Sequence, residues 1–173
     1  MFSKKNKIGL LGGSFDPAHK GHLAISKEAK KRLKLDKIIW AITKKNPFKK
    51  KSDVGLNQRI NYCKKIIGSN KFIKVKFYEN TIKSNKTIDL INYISKNKKY
   101  KIYFIMGADN LINFHKWHKW KSISKKCNIV VFDRHGYKKK SLNSMTFKRL
   151  SAKNLKFIEF NKVNISSSQL RKI

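Results

Sequence analysis

Six short apolar runs recur along this chain, and most are followed by a stretch whose apolar residues fall at helical spacing. KIGLLG (7–12), KIIWAIT (37–43), FIKVKFY (72–78), KIYFIMG (101–107), NIVVFD (128–133) and LKFIEF (155–160) read as strands. Between them GHLAISKEAKKRLK (21–34), LNQRINYCKKIIG (56–68) and TIDLINYISKNK (87–98) read as helices, the second closed by Gly68 and the third capped by Thr87. A strand that is apolar at nearly every position needs cover on both faces, and alternation with helices supplies that cover. The fold class expected is therefore α/β, a doubly wound, mainly parallel sheet with helices on both faces. The length of 173 residues suits one domain over 1–173, and no repeat or linker divides it.

Ligands of such sheets bind beyond the carboxyl ends of the strands. The residues with chemistry to offer gather there: GGSFDPAHKGH after the first strand, KKNPFKKK (44–51) after the second, GADN (107–110) after KIYFIMG and DRHG (133–136) after NIVVF. In the first of these loops Gly12 and Gly13 let the main chain approach a ligand closely and reach dihedrals closed to other residues, while Pro17 stiffens the exit. The helix that begins near Gly21 adds the positive end of its dipole, which makes the turn a phosphate site. His19 and His22, three apart, project to one side of the first helical turn. Alone, such a pair is more often a surface or capping feature. As a metal centre it lacks ligands, since Asp16 is the only nearby carboxylate.

Charge narrows the partners. Lys+Arg number 43 against 9 Asp+Glu, a net +34, yet only five of the cations are arginine, and lysine is scattered through every segment with no aromatic interleaving. This reads as compositional drift, so no specific nucleic-acid partner is expected, although the positive field steers anionic small substrates toward a cleft. Cys63 and Cys127 belong to no ligand or disulfide pattern and are expected to be packed thiols in a reducing compartment. The opening MFSKKNKIGLLGGSF has too short an apolar run for a signal peptide, and no stretch approaches the ~20 apolar residues of a membrane span. A cytoplasmic protein without a membrane partner is the expectation.

GGSFDPAHKGHL resembles the signature of the nucleotidyltransferase superfamily that carries a His-x-Gly-His motif, here His19, Gly21 and His22, in the form typical of nicotinate-nucleotide adenylyltransferases. Further blocks are similar to that family in the expected order: NPFKK (46–50), NQR (57–59), KTIDLI (86–91), FIMGADN (104–110), FHKWHKW (114–120), VVFDRHG (130–136) and ISSSQLR (165–171). Asn46-Pro47-Phe48-Lys49 stands where many relatives have Pro-Pro-His-Lys, and Ser168 where threonine is usual.

The resemblance implies a Rossmann-like nucleotidyltransferase fold and a step of NAD biosynthesis, adenylyl transfer from ATP to nicotinate mononucleotide, giving deamido-NAD and pyrophosphate. It implies Mg2+ carried with ATP, no protein-only metal site, and is compatible with a homo-oligomer. His19, His22 and Arg171 would be the catalytic residues, acting on the phosphates. Gly13, Ser14, Phe15, Lys49, Gly107, Asp109, Ser166, Ser167 and Ser168 would bind ATP. Thr87, Trp117, His118 and Arg134 would bind the mononucleotide, with the Trp117 indole stacked on the pyridine ring, the amides around Trp117 and His118 near its carboxylate, and Trp120 left to the core. The alternatives are another adenylyl- or cytidylyltransferase of the same fold, acting on nicotinamide mononucleotide, phosphopantetheine or a polyol phosphate, and, from a different class, a basic nucleic-acid-binding module.

Overall fold

A computed structural model describes residues 5–45, 54–150 and 153–160. Six strands, β1 (Asn6–Gly13), β2 (Lys37–Ile42), β3 (Ile73–Lys76), β4 (Tyr100–Gly107), β5 (Asn128–Phe132) and β6 (Leu155–Ile158), form one sheet in the order β3-β2-β1-β4-β5-β6. Every neighbouring pair is parallel. The longer helices are α1 (Lys20–Leu33), α2 (Leu56–Ile67) and α4 (Thr87–Ser95), with the short α3 (Glu79–Ile82) before α4. α5 (Ala108–Asn113), a 3-10 turn (Phe114–Lys116) and α6 (Trp120–Lys126) lie between β4 and β5, and α7 (Lys138–Leu142) and α8 (Met145–Leu150) between β5 and β6. The six strands and three longer helices stand where the apolar patterning puts them.

The period of two along each strand divides the core into two layers. Ile8, Leu10, Ile39, Ala41, Ile102, Phe104, Met106, Ile129 and Val131 face one side, where they meet Ile88 and Ile91 of α4, Leu111 of α5 and Ile123 of α6. Leu11, Ile38, Trp40, Ile42, Ile105, Val130 and Phe132 face the other, against Ala29 of α1 and Cys63 of α2. Gly9 has no room for a side chain: a Cβ there would lie 2.9 Å from Leu35 Cδ1 and 3.0 Å from Ile38 Cγ1.

Two local expectations are corrected. Gly12 and Gly13 are the last residues of β1 and neither takes a left-handed dihedral; in this loop Phe15 does, at φ 48°. A Cβ would meet the Phe104 ring at 3.9 Å on Gly12 and the Phe15 ring at 3.6 Å on Gly13, ordinary contacts in both cases. Thr87 is the first residue of α4, and the cap position is Lys86, which makes no side-chain cap bond. Ser84 organises this turn instead, accepting from the Lys86 amide at 3.1 Å and donating to Asp89 Oδ2 at 2.7 Å.

Among the described residues no helix is long and apolar enough to cross a membrane. Both thiols are buried, and burial pushes each up to about 12; at Cys63 the nearby Arg59 charge opposes this without overcoming it. Because an unfolded thiol ionises near its ordinary value of 9.0, folding stability is lost as pH rises from about 9 toward about 12. Native protein at pH 8 is therefore expected to leave both cysteines unreacted with an aromatic disulfide reagent over minutes. Adding urea should release both, which absorbance of the freed thiolate would count.

Candidate active site

The strand order reverses between β1 and β4, the switch point beyond whose carboxyl ends ligands of such sheets bind. β1 runs through Gly13 into Ser14 and Phe15, a cis Asp16–Pro17 bond and Ala18, and then into α1. His19 is the N-cap of α1, extended at φ −149° and ψ 169°. Its Nδ1 accepts from the Gly21 amide at 3.1 Å, and the His19 amide in turn donates to Nδ1 of His22 at 3.1 Å. The His-x-Gly-His spacing thus folds as a capping box, a reciprocal arrangement more familiar with a hydroxyl and a glutamate.

This has a chemical consequence. An Nδ1 that accepts a hydrogen bond carries no proton, so each neutral ring is held in the tautomer protonated on Nε2. The proton of each neutral ring is therefore on Nε2, at the helix end whose dipole favours an anion and whose first turn carries no acidic residue. The ring centroids lie 3.9 Å apart. Behind them Phe15, buried, stands 4.8 Å from the His22 ring and stacks on Trp40 at 5.0 Å and 18°. Trp40 Nε1 donates to Ser26 Oγ at 2.9 Å, and Ser26 donates to the His22 carbonyl at 2.8 Å. Through this chain the sheet itself orients the first turn of α1.

The end of β4 contributes Gly107, which caps α5, and Asp109 one residue inside that helix. Asp109 Oδ2 pairs with Arg134 Nη1 at 2.6 Å, and Arg134 is placed just beyond β5. A Cβ on residue 107 would lie 2.6 Å from Asp109 Oδ1, so glycine is what makes room for this carboxylate. Oδ1 is buried and has no hydrogen-bond partner among the described residues. Two residues that the family pattern gives to different substrates thus form one ion pair, and the carboxylate tempers the charge Arg134 can present to an anion.

Trp117 follows the 3-10 turn, partly buried, its ring nearly perpendicular to those of Phe104 (6.0 Å, 79°) and Phe114 (5.3 Å, 68°). Its amide already donates to the Phe114 carbonyl at 3.0 Å, which leaves the indole ring as its means of contact. Trp120 packs on the same core cluster, 6.1 Å from Phe114. His118 is exposed next to Trp117, and Thr87 opens α4, joined to none of the other candidates by a hydrogen bond among the described residues. Lys49, Ser166, Ser167, Ser168 and Arg171 lie outside the described residues.

Sequence reasoning gave Arg59 no role, yet it ties this edge together. Its side chain, 3% exposed, reaches from α2 to four main-chain carbonyls: Ser14 (2.6 Å) and Thr43 (2.9 Å) through Nη1, Lys44 (3.1 Å) through Nη2 and Val54 (3.2 Å) through Nε. Thr43 also donates its amide to the Gly13 carbonyl at 2.9 Å. Its hydroxyl, and the Lys44 amide at 3.2 Å, bond to Glu79 Oε1.

Residues 10–173 match the cytidylyltransferase-like family, so the chain is a member of that class of nucleotidyltransferases. A protein of Pelagibacter ubique named probable nicotinate-nucleotide adenylyltransferase is 71% identical over 170 residues, covering 98% of this chain and 94% of that one. One of the same name from Agrobacterium fabrum is 39% identical over 131 residues, covering 75% and 70%. A solved structure of Plasmodium falciparum nicotinic acid mononucleotide adenylyltransferase complexed with NaAD superposes with a TM-score of 0.82 at 22% identity, covering 96% of this chain and 83% of that one, and shows the shared fold. Within the wider class, the chain belongs to the nicotinate-nucleotide adenylyltransferase family.

The histidine capping box predicts a separable stability effect. His19→Ala should cost about 1 kcal/mol, the usual loss of an N-cap side chain, and His19→Asn, a good cap, should recover most of it. Urea titrations of the three proteins would read the difference.

Proposed function

We propose that this protein transfers the adenylyl group of ATP to the phosphate of nicotinate mononucleotide, forming deamido-NAD and releasing pyrophosphate. The observation that carries this reading is the pair of imidazoles whose Nδ1 atoms cap α1, which puts each ring proton on Nε2, at the point where the strand order reverses between β1 and β4.

The nucleophile is a phosphate oxygen already anionic at neutral pH, so no general base is needed. Catalysis then consists of aligning two nucleotides and stabilising charge on the α-phosphate and the departing pyrophosphate. In this assignment His19 and His22 donate to the ATP phosphates, with His22 nearest the reacting phosphorus, and Arg171 reaches the leaving pyrophosphate. The main chain of Gly13, Ser14 and Phe15 and the hydroxyls of Ser166, Ser167 and Ser168 add donors, and Lys49 adds a cation. Gly107 and Asp109 serve the ATP side of the pocket. On the acceptor side Trp117 stacks on the cationic pyridine ring, a contact worth roughly 0.5–2 kcal/mol. Thr87 and His118 lie toward the ring carboxylate and Arg134 toward an anionic group of the mononucleotide.

Magnesium demands an oxygen cage, and the described groups at this site are chiefly imidazoles and amides, which suit an anion instead. Among the described residues no three His, Cys, Asp or Glu side chains group as a metal site. Mg2+ fits here as an ion carried by the triphosphate and water, where it neutralises phosphate charge.

The deciding experiment is pyrophosphate release from ATP with nicotinate mononucleotide, nicotinamide mononucleotide or phosphopantetheine as acceptor. Release with the first, well above the other two, is expected. His22→Ala should lower kcat by about a hundredfold or more, as removal of a charge-stabilising donor does elsewhere, with the circular dichroism spectrum unchanged. Undiminished turnover in that variant would refute its role.

A further inference from the structure

We infer that Arg59 is a positioning residue for ATP: by drawing three loop carbonyls inward, it turns the peptide N–H groups of the Ser14–Phe15 and Lys44–Lys45 bonds out toward the triphosphate. The inference rests on the proposed site and names a group within its support that touches no reacting atom.

In a trans peptide the C=O of one residue and the N–H of the next point in opposite directions. The Ser14 carbonyl is held by Arg59 Nη1 at 2.6 Å, so the Phe15 N–H points away from the guanidinium. The Lys44 carbonyl is held by Nη2 at 3.1 Å, so the Lys45 N–H points away as well. At the intervening bond the Thr43 carbonyl turns to Nη1 at 2.9 Å, while the Lys44 amide meets the Glu79 carboxylate at 3.2 Å. Without a donor behind them, carbonyl oxygens at this edge would be free to face the crevice, where an anionic ligand would be repelled.

A second feature is what Arg59 leaves out. All of its hydrogen bonds among the described residues go to main-chain oxygens, and none to a carboxylate. These bonds set a buried cation among the carbonyls of the loops that follow β1 and β2. It also holds both flanks of the stretch containing Lys49, through Lys44 on one side and Val54 on the other. Only a planar fork with five donors spans carbonyls in these several directions, and an ammonium group, a point charge with three, does not.

The test uses the whole chain. Arg59→Lys keeps the charge and loses the fork. Calorimetric titration with Mg-ATP should show affinity reduced about tenfold, the worth of roughly one charge-assisted hydrogen bond. The KM for nicotinate mononucleotide should change less than twofold, a split that general destabilisation would not produce. Wild-type affinity in a folded Arg59→Lys protein would overturn the inference. Should that variant not fold, amide exchange in the wild type decides: Mg-ATP is expected to protect the Phe15 and Lys45 amides, and their exchange at unaltered rates would overturn it. ATP binding is read without an acceptor, so a protein that binds ATP with this footprint but releases no pyrophosphate refutes the proposed reaction and supports the role of Arg59.

Discussion

A parallel sheet buried on both faces has no place for polar chemistry along its strands. The buried apolar residues of the strands are spent on the two core layers, and polar function is displaced to the loops at the carboxyl ends. Those loops carry backbone groups that the ladder no longer satisfies. How they are satisfied decides what the edge can bind. In this protein the answer is asymmetric: a buried guanidinium takes carbonyl oxygens after β1 and β2, and two imidazoles take amides at the start of α1.

The second of these links folding to chemistry through a proton. A serine cap would serve the helix as well, but would present no ring nitrogen to a ligand. Using Nδ1 for the helix puts the ring proton on Nε2, so a single geometry both starts α1 and fixes which imidazole nitrogen carries the proton. The aromatic stack of Phe15 on Trp40 holds that geometry from behind, and the positive φ of Phe15 is the backbone arrangement that seats its ring in the core. The wider excess of positive charge, +34 over the chain, acts at longer range and without direction.

The strands, the three longer helices and the family were legible from residue patterns because each depends on neighbours close in sequence. The opening motif was legible as a strand-to-helix turn, though its glycines were credited with dihedrals that belong to Phe15. α3 and α5 to α8 escaped because helices of four to seven residues are too short to show a period. Thr87 looked like a cap by type, but the chain starts its helix one residue earlier and lets Ser84 brace the turn. Arg59 escaped for a deeper reason: its partners lie 45, 16, 15 and 5 residues away, and all are main-chain oxygens, which no residue pattern encodes.

The ion pair between Asp109 and Arg134 carries an evolutionary implication. In the proposed assignment these residues attend to opposite halves of the product, yet neither can be exchanged without stranding a charge on the other. Gly107 is bound into the same arrangement by the space it leaves for the carboxylate. Selection for a new acceptor at Arg134 would therefore disturb the adenine nucleotide's side as well, so this corner of the pocket is inherited as a unit and altered preferences are more accessible on the indole side.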